Sequence, residues 1–272
     1  LSVLLSKQVR YEKAPYNLAN GWLTRALNVA RYDQAYSILE IMRSVTQMME
    51  DANYTQIDSA YYPQVGEDAS LNTIQNAINN GVGFLNYRGY AGSDGWWRQC
   101  RIIDLNSSNI HNGFYNGIMT SIVCGTGNFG VNECFGEAWI RDGYGGTPSN
   151  PKGGVSFYGS SEFNQNVRYA NIIDASFYYG AIRKGIRSMG TAMLFSKMAV
   201  FNGFPTLRDN SSNWGVEFYF HIYNLLGDPS LQMWVGNPRS VTTEFPTTVS
   251  TAAATIPVRV TTTIFGTGVG GA

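Results

Sequence analysis

Cys124 is placed as a nucleophile would be. It ends the apolar run Met119-Thr-Ser-Ile-Val-Cys124 and opens a polar glycine turn, Gly125-Thr-Gly-Asn-Phe129. A thiol attacks as its thiolate, which a neighbouring base or cation helps to form. A second segment has the same build: the apolar run Gly83-Phe-Leu-Asn-Tyr87 leads into Arg88-Gly-Tyr-Ala-Gly-Ser93. In open parallel sheets, sites form beyond the carboxyl ends of strands. Glycines there let the backbone approach a ligand and expose its N–H groups. The usual partner of such a thiol is an imidazole, yet the chain holds only His111 and His221. His111 precedes Cys124 by thirteen positions, which at about 3.3 Å per residue is most of a strand away from that crevice. His221 stands in an aromatic helical pattern (Phe218, Tyr219, Phe220, Tyr223) and reads as a packed, satisfied histidine. Cys100 and Cys134 read as packed thiols, a Cys124–Cys134 bridge being the alternative that would occupy the nucleophile.

The elements that must position these residues alternate. Strands are expected at 26–30, 56–60, 83–87, 119–124 and 154–159, with helices at 35–52, 70–79, 105–112, 133–142, 167–183, 186–201 and 214–226. Near-continuous apolar strands between helices indicate βαβ units and a mostly parallel sheet covered on both faces, an α/β fold. Asp68 precedes the pattern Leu71, Ile74, Ile78 as an N-cap would, and Asn80-Gly81 ends that helix. Residues 145–154 form a loop by composition. After Trp234 the chain turns Thr- and Val-rich and alternates in Thr255-Ile-Pro-Val-Arg-Val-Thr, the pattern of strands. The expected domains are therefore 1–237 and, at 238–272, the start of a β-sandwich module of Ig-like type.

Composition narrows the partners. The 272 residues carry 19 basic and 19 acidic side chains, so no net charge favours nucleic acid. No apolar stretch reaches the roughly 18 residues that span a bilayer. Charged residues make up 14%, well under the typical ~25%, and Asn, Tyr, Gly and Ser are plentiful, a mix that leans extracellular. Asn53, Asn106 and Asn210 head glycosylation acceptor triplets. Two histidines and no clustered Cys/His spacing give no zinc site. The opening helical pattern (Leu1, Leu4, Leu5, Val9) reads as part of something longer.

Taken together, the motifs resemble the gingipain-like cysteine peptidases, family C25, whose fold is caspase-like. That family's strand pattern Asn-Tyr-x-Gly-His-Gly-Ser is similar to Asn86-Tyr87-Arg88-Gly89 with Gly92-Ser93, and its Val-Ala-Cys-x-x-Gly-x-Phe to Val123-Cys124 with Gly127-Asn128-Phe129. The stretches 133–141 and 152–161 and the turn Gly227-Asp-Pro-Ser-Leu231 resemble later family segments, in order, from about residue 3 to 235. The resemblance implies a three-layer α/β sandwich and hydrolysis of peptide bonds through an acyl-enzyme on Cys124. It implies no required cofactor, a protein or peptide substrate, and a secreted or surface-displayed multidomain parent. It is compatible with a structural Ca2+ ion, at a place the sequence does not locate.

One position departs from the pattern. The family histidine falls on Tyr90, whose phenol has an ordinary pKa near 10 and is a poor base at neutral pH. Two readings stay open: a peptidase with an unexpected base, and a pseudopeptidase that binds without cutting. The backbone N–H groups of Gly89, Ala91 and Gly125 are candidate oxyanion donors. Ser93 and the pair Trp96-Trp97 are candidates for the cleft wall, and Asp33 for a pocket receiving a basic side chain. Each of these also reads as an ordinary turn or packing residue.

Overall fold

The computed structural model describes residues 1–141, 145–238, 241–252 and 255–262. The chain divides into two compact units, Leu1–Gly236 and Asn237–Ala272. In the second, β10 (Val241–Glu244) pairs antiparallel with β11 (Arg259–Thr262).

The first unit is a six-stranded sheet between two helical layers. Its order is β2 (Gln56–Tyr62), β1 (Arg25–Arg31), β3 (Phe84–Arg88), β7 (Ile118–Ser121), β8 (Ser156–Ser160) and β9 (Tyr223–Leu226). The first five are parallel and β9 runs antiparallel along β8. Strand periodicity assigns alternate residues to opposite faces. Ala26, Phe84, Ile118 and Tyr158 pack toward α2 (Tyr36–Asp51), α6 (Val167–Tyr178), α7 (Met189–Gly203) and α8 (Val216–Ile222). Leu27, Val29, Leu85, Tyr87, Met119 and Phe157 pack toward α3 (Glu67–Asn80), α4 (Ile102–Leu105) and α5 (Phe135–Arg141). The short strands β4 (Ala91–Gly92), β5 (Gly95–Trp96) and β6 (Cys100–Arg101) form a separate antiparallel patch. Helix α1 (Ser2–Lys13) is pinned by the buried Lys7, whose Nζ donates to the carbonyls of Ile140 (2.6 Å) and Lys152 (3.0 Å).

Four sequence expectations are corrected. The helix expected at 105–112 is one turn, Ile102–Leu105. Ser107 bonds back to the Asp104 carbonyl and receives the Asn109 N–H, a local alternative to helix that Ser and Asn offer. The helix expected through 226 ends at Ile222, and Tyr223–Leu226 becomes β9. The open edge of β8 captures a short apolar run that sequence periodicity cannot assign to helix or strand. Asp68 is not a cap: α3 starts at Glu67 after Gly66, which leaves Asp68 in the first turn, where the helix dipole favours an acid. Finally, β7 stops at Ser121, and Cys124 lies past its end.

Candidate active site

The two motif loops meet at the carboxyl edge of β3 and β7. Beyond β3, the Tyr87 hydroxyl donates to the Tyr90 carbonyl (2.8 Å) and receives the Tyr90 N–H (3.3 Å), closing the turn. Gly89 is required there, because a Cβ would fall 2.6 Å from Tyr87 Oη and 2.8 Å from Arg31 Cβ. Beyond β7, Ile122 N–H donates to the Tyr87 carbonyl and Val123 N–H to the Ser121 carbonyl. This bend lifts Cys124 out of the sheet. Gly125 follows at φ +68°, and a Cβ on it would come within 3.4 Å of the Ser93 amide nitrogen. The two glycine loops are therefore in contact.

A buried relay joins them. Trp96 stacks on Tyr87, with centroids 4.3 Å apart and an interplanar angle of 6°. Its Nε1–H donates to Ser121 Oγ (2.9 Å), which is 3.0 Å from Thr126 Oγ1. The Phe135 N–H donates to the Ser93 carbonyl (2.8 Å), tying the start of α5 to the same loop.

The thiols differ in access. Cys124 is half-buried, while Cys100 and Cys134 are buried. Burial raises the Cys134 thiol to about 11 and the Cys100 thiol well above its ordinary value, so both stay protonated and inert. Cys124 is an electrostatic neighbour of three tyrosines: Tyr90, Tyr219 and Tyr223. Burial raises the Tyr90 phenol, with the negative charge of Asp33 adding to the rise and Arg88 and Arg31 opposing it. Burial pushes Tyr219 up to about 12 and Tyr223 well above its ordinary value. All three are neutral phenols at physiological pH.

Neither histidine reaches the thiol from the expected place. His111 is exposed in the loop before β7, its N–H on Asn79 Oδ1 (2.8 Å) near the end of α3, so it stands at the opposite edge of the sheet. His221 is not packed, as its sequence setting suggested. Its side chain is 72% exposed on α8, 3.5 Å from Glu217, because α8 buries Val216, Tyr219 and Ile222 and turns His221 outward.

Three assignments change with the geometry. Trp96 is wholly buried and lines no cleft, whereas Trp97 is 52% exposed. The Gly125 N–H is not presented to a ligand, since it donates to the Glu162 carbonyl (3.0 Å). Asp33 does border a cleft next to Tyr90, but both its oxygens are taken by Arg31, at 3.1 and 3.0 Å. Ala91 is buried at the base of the loop and Ser93 half-buried beside Gly125. Among the described residues, no three His, Cys, Asp or Glu side chains gather into one cluster that could hold a metal ion.

Arg88 was missed in the sequence. It is 2% exposed, donates to the carbonyls of Ile122 and Val167, and holds Asn171 Oδ1 through Nε (3.2 Å). It thus ties β7's exit, two residues before Cys124, to α6. The available signal was a charge at the end of an apolar strand, on the same face as Asn86. Phe163, whose ring would lie 2.8 Å from a Cβ at Gly125, was missed as well.

A cysteine at the carboxyl edge of a parallel sheet, set in a glycine turn against a second glycine loop, defines a domain of cysteine-peptidase type. The model of peptidase family C25 matches residues 1–234, and the chain belongs to that family. The crystal structure of the Arg-specific cysteine proteinase gingipain R shares the fold, with TM-score 0.78, 19% identity, and coverage of 95% of this chain and 58% of that one. The complex of the pro- and mature domains of RgpB from Porphyromonas gingivalis matches with TM-score 0.79, 20% identity, and coverage of 95% and 59%. The chain thus spans about three fifths of the solved chains it matches. No curated protein sequence matches it. No helix among the described residues is long and apolar enough to cross a membrane.

Proposed function

We propose that this is a peptide-binding domain on the C25 scaffold, a pseudopeptidase in which Tyr90 has disarmed the nucleophile Cys124. The observation that carries the reading is Tyr90 itself, a half-buried phenol, neutral at physiological pH, where the family pattern has histidine. Acyl transfer from a thiol needs a base to form the thiolate and an acid to protonate the leaving amine. A neutral phenol supplies neither the base nor a cation, and both histidines lie elsewhere. A crevice at the carboxyl edge of the sheet, opening beside the Tyr90 loop, offers a seat to an extended protein segment. Low charge and a Thr-rich, strand-forming tail support a secreted or surface protein of several domains.

A second reading, hydrolysis through a Cys124 acyl-enzyme, draws on one observation: Cys124 alone of the three thiols is half-buried rather than buried. Wild type, Tyr90→His and Cys124→Ala incubated with a proteome-derived peptide mixture separate the two. New peptide termini are counted by mass spectrometry. The proposal expects wild type to match Cys124→Ala. Cleavage by wild type that Cys124→Ala abolishes establishes the second reading instead.

A further inference from the structure

Beside Tyr90 opens a cleft of about 650 Å³ whose lining includes Arg31, Asp33, Asp94, Trp97, Arg98 and Arg101. The Trp97 N–H donates to the Tyr90 carbonyl (3.0 Å), so the cleft shares a wall with the glycine loop. We propose that this cleft receives the carboxylate side chain of an Asp or Glu in the bound peptide. The proposal rests on the reading of the crevice as a peptide site.

The floor is fixed. Arg31 at the end of β1 is 10% exposed, grips Asp33 with two parallel bonds, lies 4.7 Å from the Tyr62 ring centroid and reaches toward the Trp97 carbonyl (3.4 Å). The Arg31 fork neutralises Asp33, which leaves little net negative charge to draw a ligand's cation. The cleft therefore does not take the basic side chain that Asp33 suggests in the sequence.

The rim is exchangeable. Arg98 and Arg101 are 64% and 59% exposed and pair with Glu67 and Asp94, themselves 40% and 48% exposed. Exposed pairs of this kind are worth about 0–1 kcal/mol, so an incoming carboxylate displaces them easily. Each of the three guanidinium groups is paired, Arg31 with Asp33, Arg101 with Asp94 and Arg98 with Glu67 just outside the lining, so an incoming carboxylate binds by exchange at the two exposed pairs. A guanidinium fork matches a carboxylate in two-point contact, and the exposed indole of Trp97 offers an apolar wall to the side-chain stem.

The test is fluorescence anisotropy with short fluorescein-labelled polyalanine peptides in which one Glu, Gln or Arg is walked through each position. At the preferred position, Glu is expected to bind about threefold to fivefold tighter than Gln, and Arg no tighter than Gln. The double variant Arg98→Gln/Arg101→Gln, altered only at exposed side chains, should lose that preference and bind the Glu and Gln peptides alike. A preference for Arg, equal affinity for Glu and Gln at every position, or a Glu preference that survives in the double variant overturns this proposal alone. Failure of all three series to bind overturns the peptide-binding reading with it.

Discussion

Replacing Asp174 by Asn should change how the stability of this domain depends on pH. Asp174 lies wholly buried on α6 beneath the two motif strands. Its Oδ2 accepts from Asn86 Nδ2 (3.1 Å) on β3, and Asn86 Oδ1 accepts from Thr120 (2.8 Å) on β7. Its Oδ1 has no partner among the described residues. Burial pushes the carboxyl from 3.8 up to about 7, while Arg88 and Asn86 pull it back. Between those values the folded chain holds a proton that the unfolded chain has released. Stability therefore falls as pH rises through this window and levels off above pH 7. About three pH units at 1.36 kcal/mol each give roughly 4 kcal/mol in all, of which about 2–3 kcal/mol falls between pH 5 and 8. Asn keeps the shape and has no proton to lose. Arg88 hydrogen-bonds only neutral acceptors on Ile122, Val167 and Asn171, so the substitution leaves those bonds in place. Urea unfolding followed by tryptophan fluorescence at about pH 5 and 8 reads the difference between the two proteins and cancels the groups they share. Wild type should lose about 2–3 kcal/mol more than Asp174→Asn across that range. Equal pH slopes in the two proteins would refute the reasoning.

Gly89→Ala forces a Cβ to 2.6 Å from Tyr87 Oη, and calorimetry should show a loss of about 1–3 kcal/mol from overpacking. Trp96→Leu removes a buried ring and its bond to Ser121 and should cost about 2–4 kcal/mol in urea unfolding. Trp97→Ala, at an exposed indole, should stay within about 0.5 kcal/mol of wild type while weakening peptide binding by anisotropy.

The sheet was legible where strands are buried on both faces. The apolar runs at 26–30, 83–87 and 154–159 coincide closely with β1, β3 and β8, because burial on both sides leaves little room for polar residues. Some of what failed was decided by distant partners. Tyr223–Leu226 is a strand because β8 offers an edge. Which tryptophan of the pair is buried depends on the register of a two-residue strand: β5 turns Trp96 onto Tyr87 and Trp97 to solvent. The same limit applies at the site. Cys124 and the contacting glycine loops follow from sequence, since strand-to-glycine transitions are local. The capture of the Gly125 N–H by Glu162 and of the Ile122 carbonyl by Arg88 joins residues whose proximity only the fold creates.

The central claim is that Tyr90 leaves Cys124 unactivated. It is tested most directly by the rate at which a peptide chloromethyl ketone alkylates each cysteine near neutral pH, read by mass spectrometry, for wild type and Tyr90→His. The account predicts that wild-type Cys124 reacts no faster than an ordinary exposed thiol and that Tyr90→His accelerates it. Rapid, selective labelling of Cys124 in the wild-type chain would contradict the account and show that an active peptidase site has formed without the histidine.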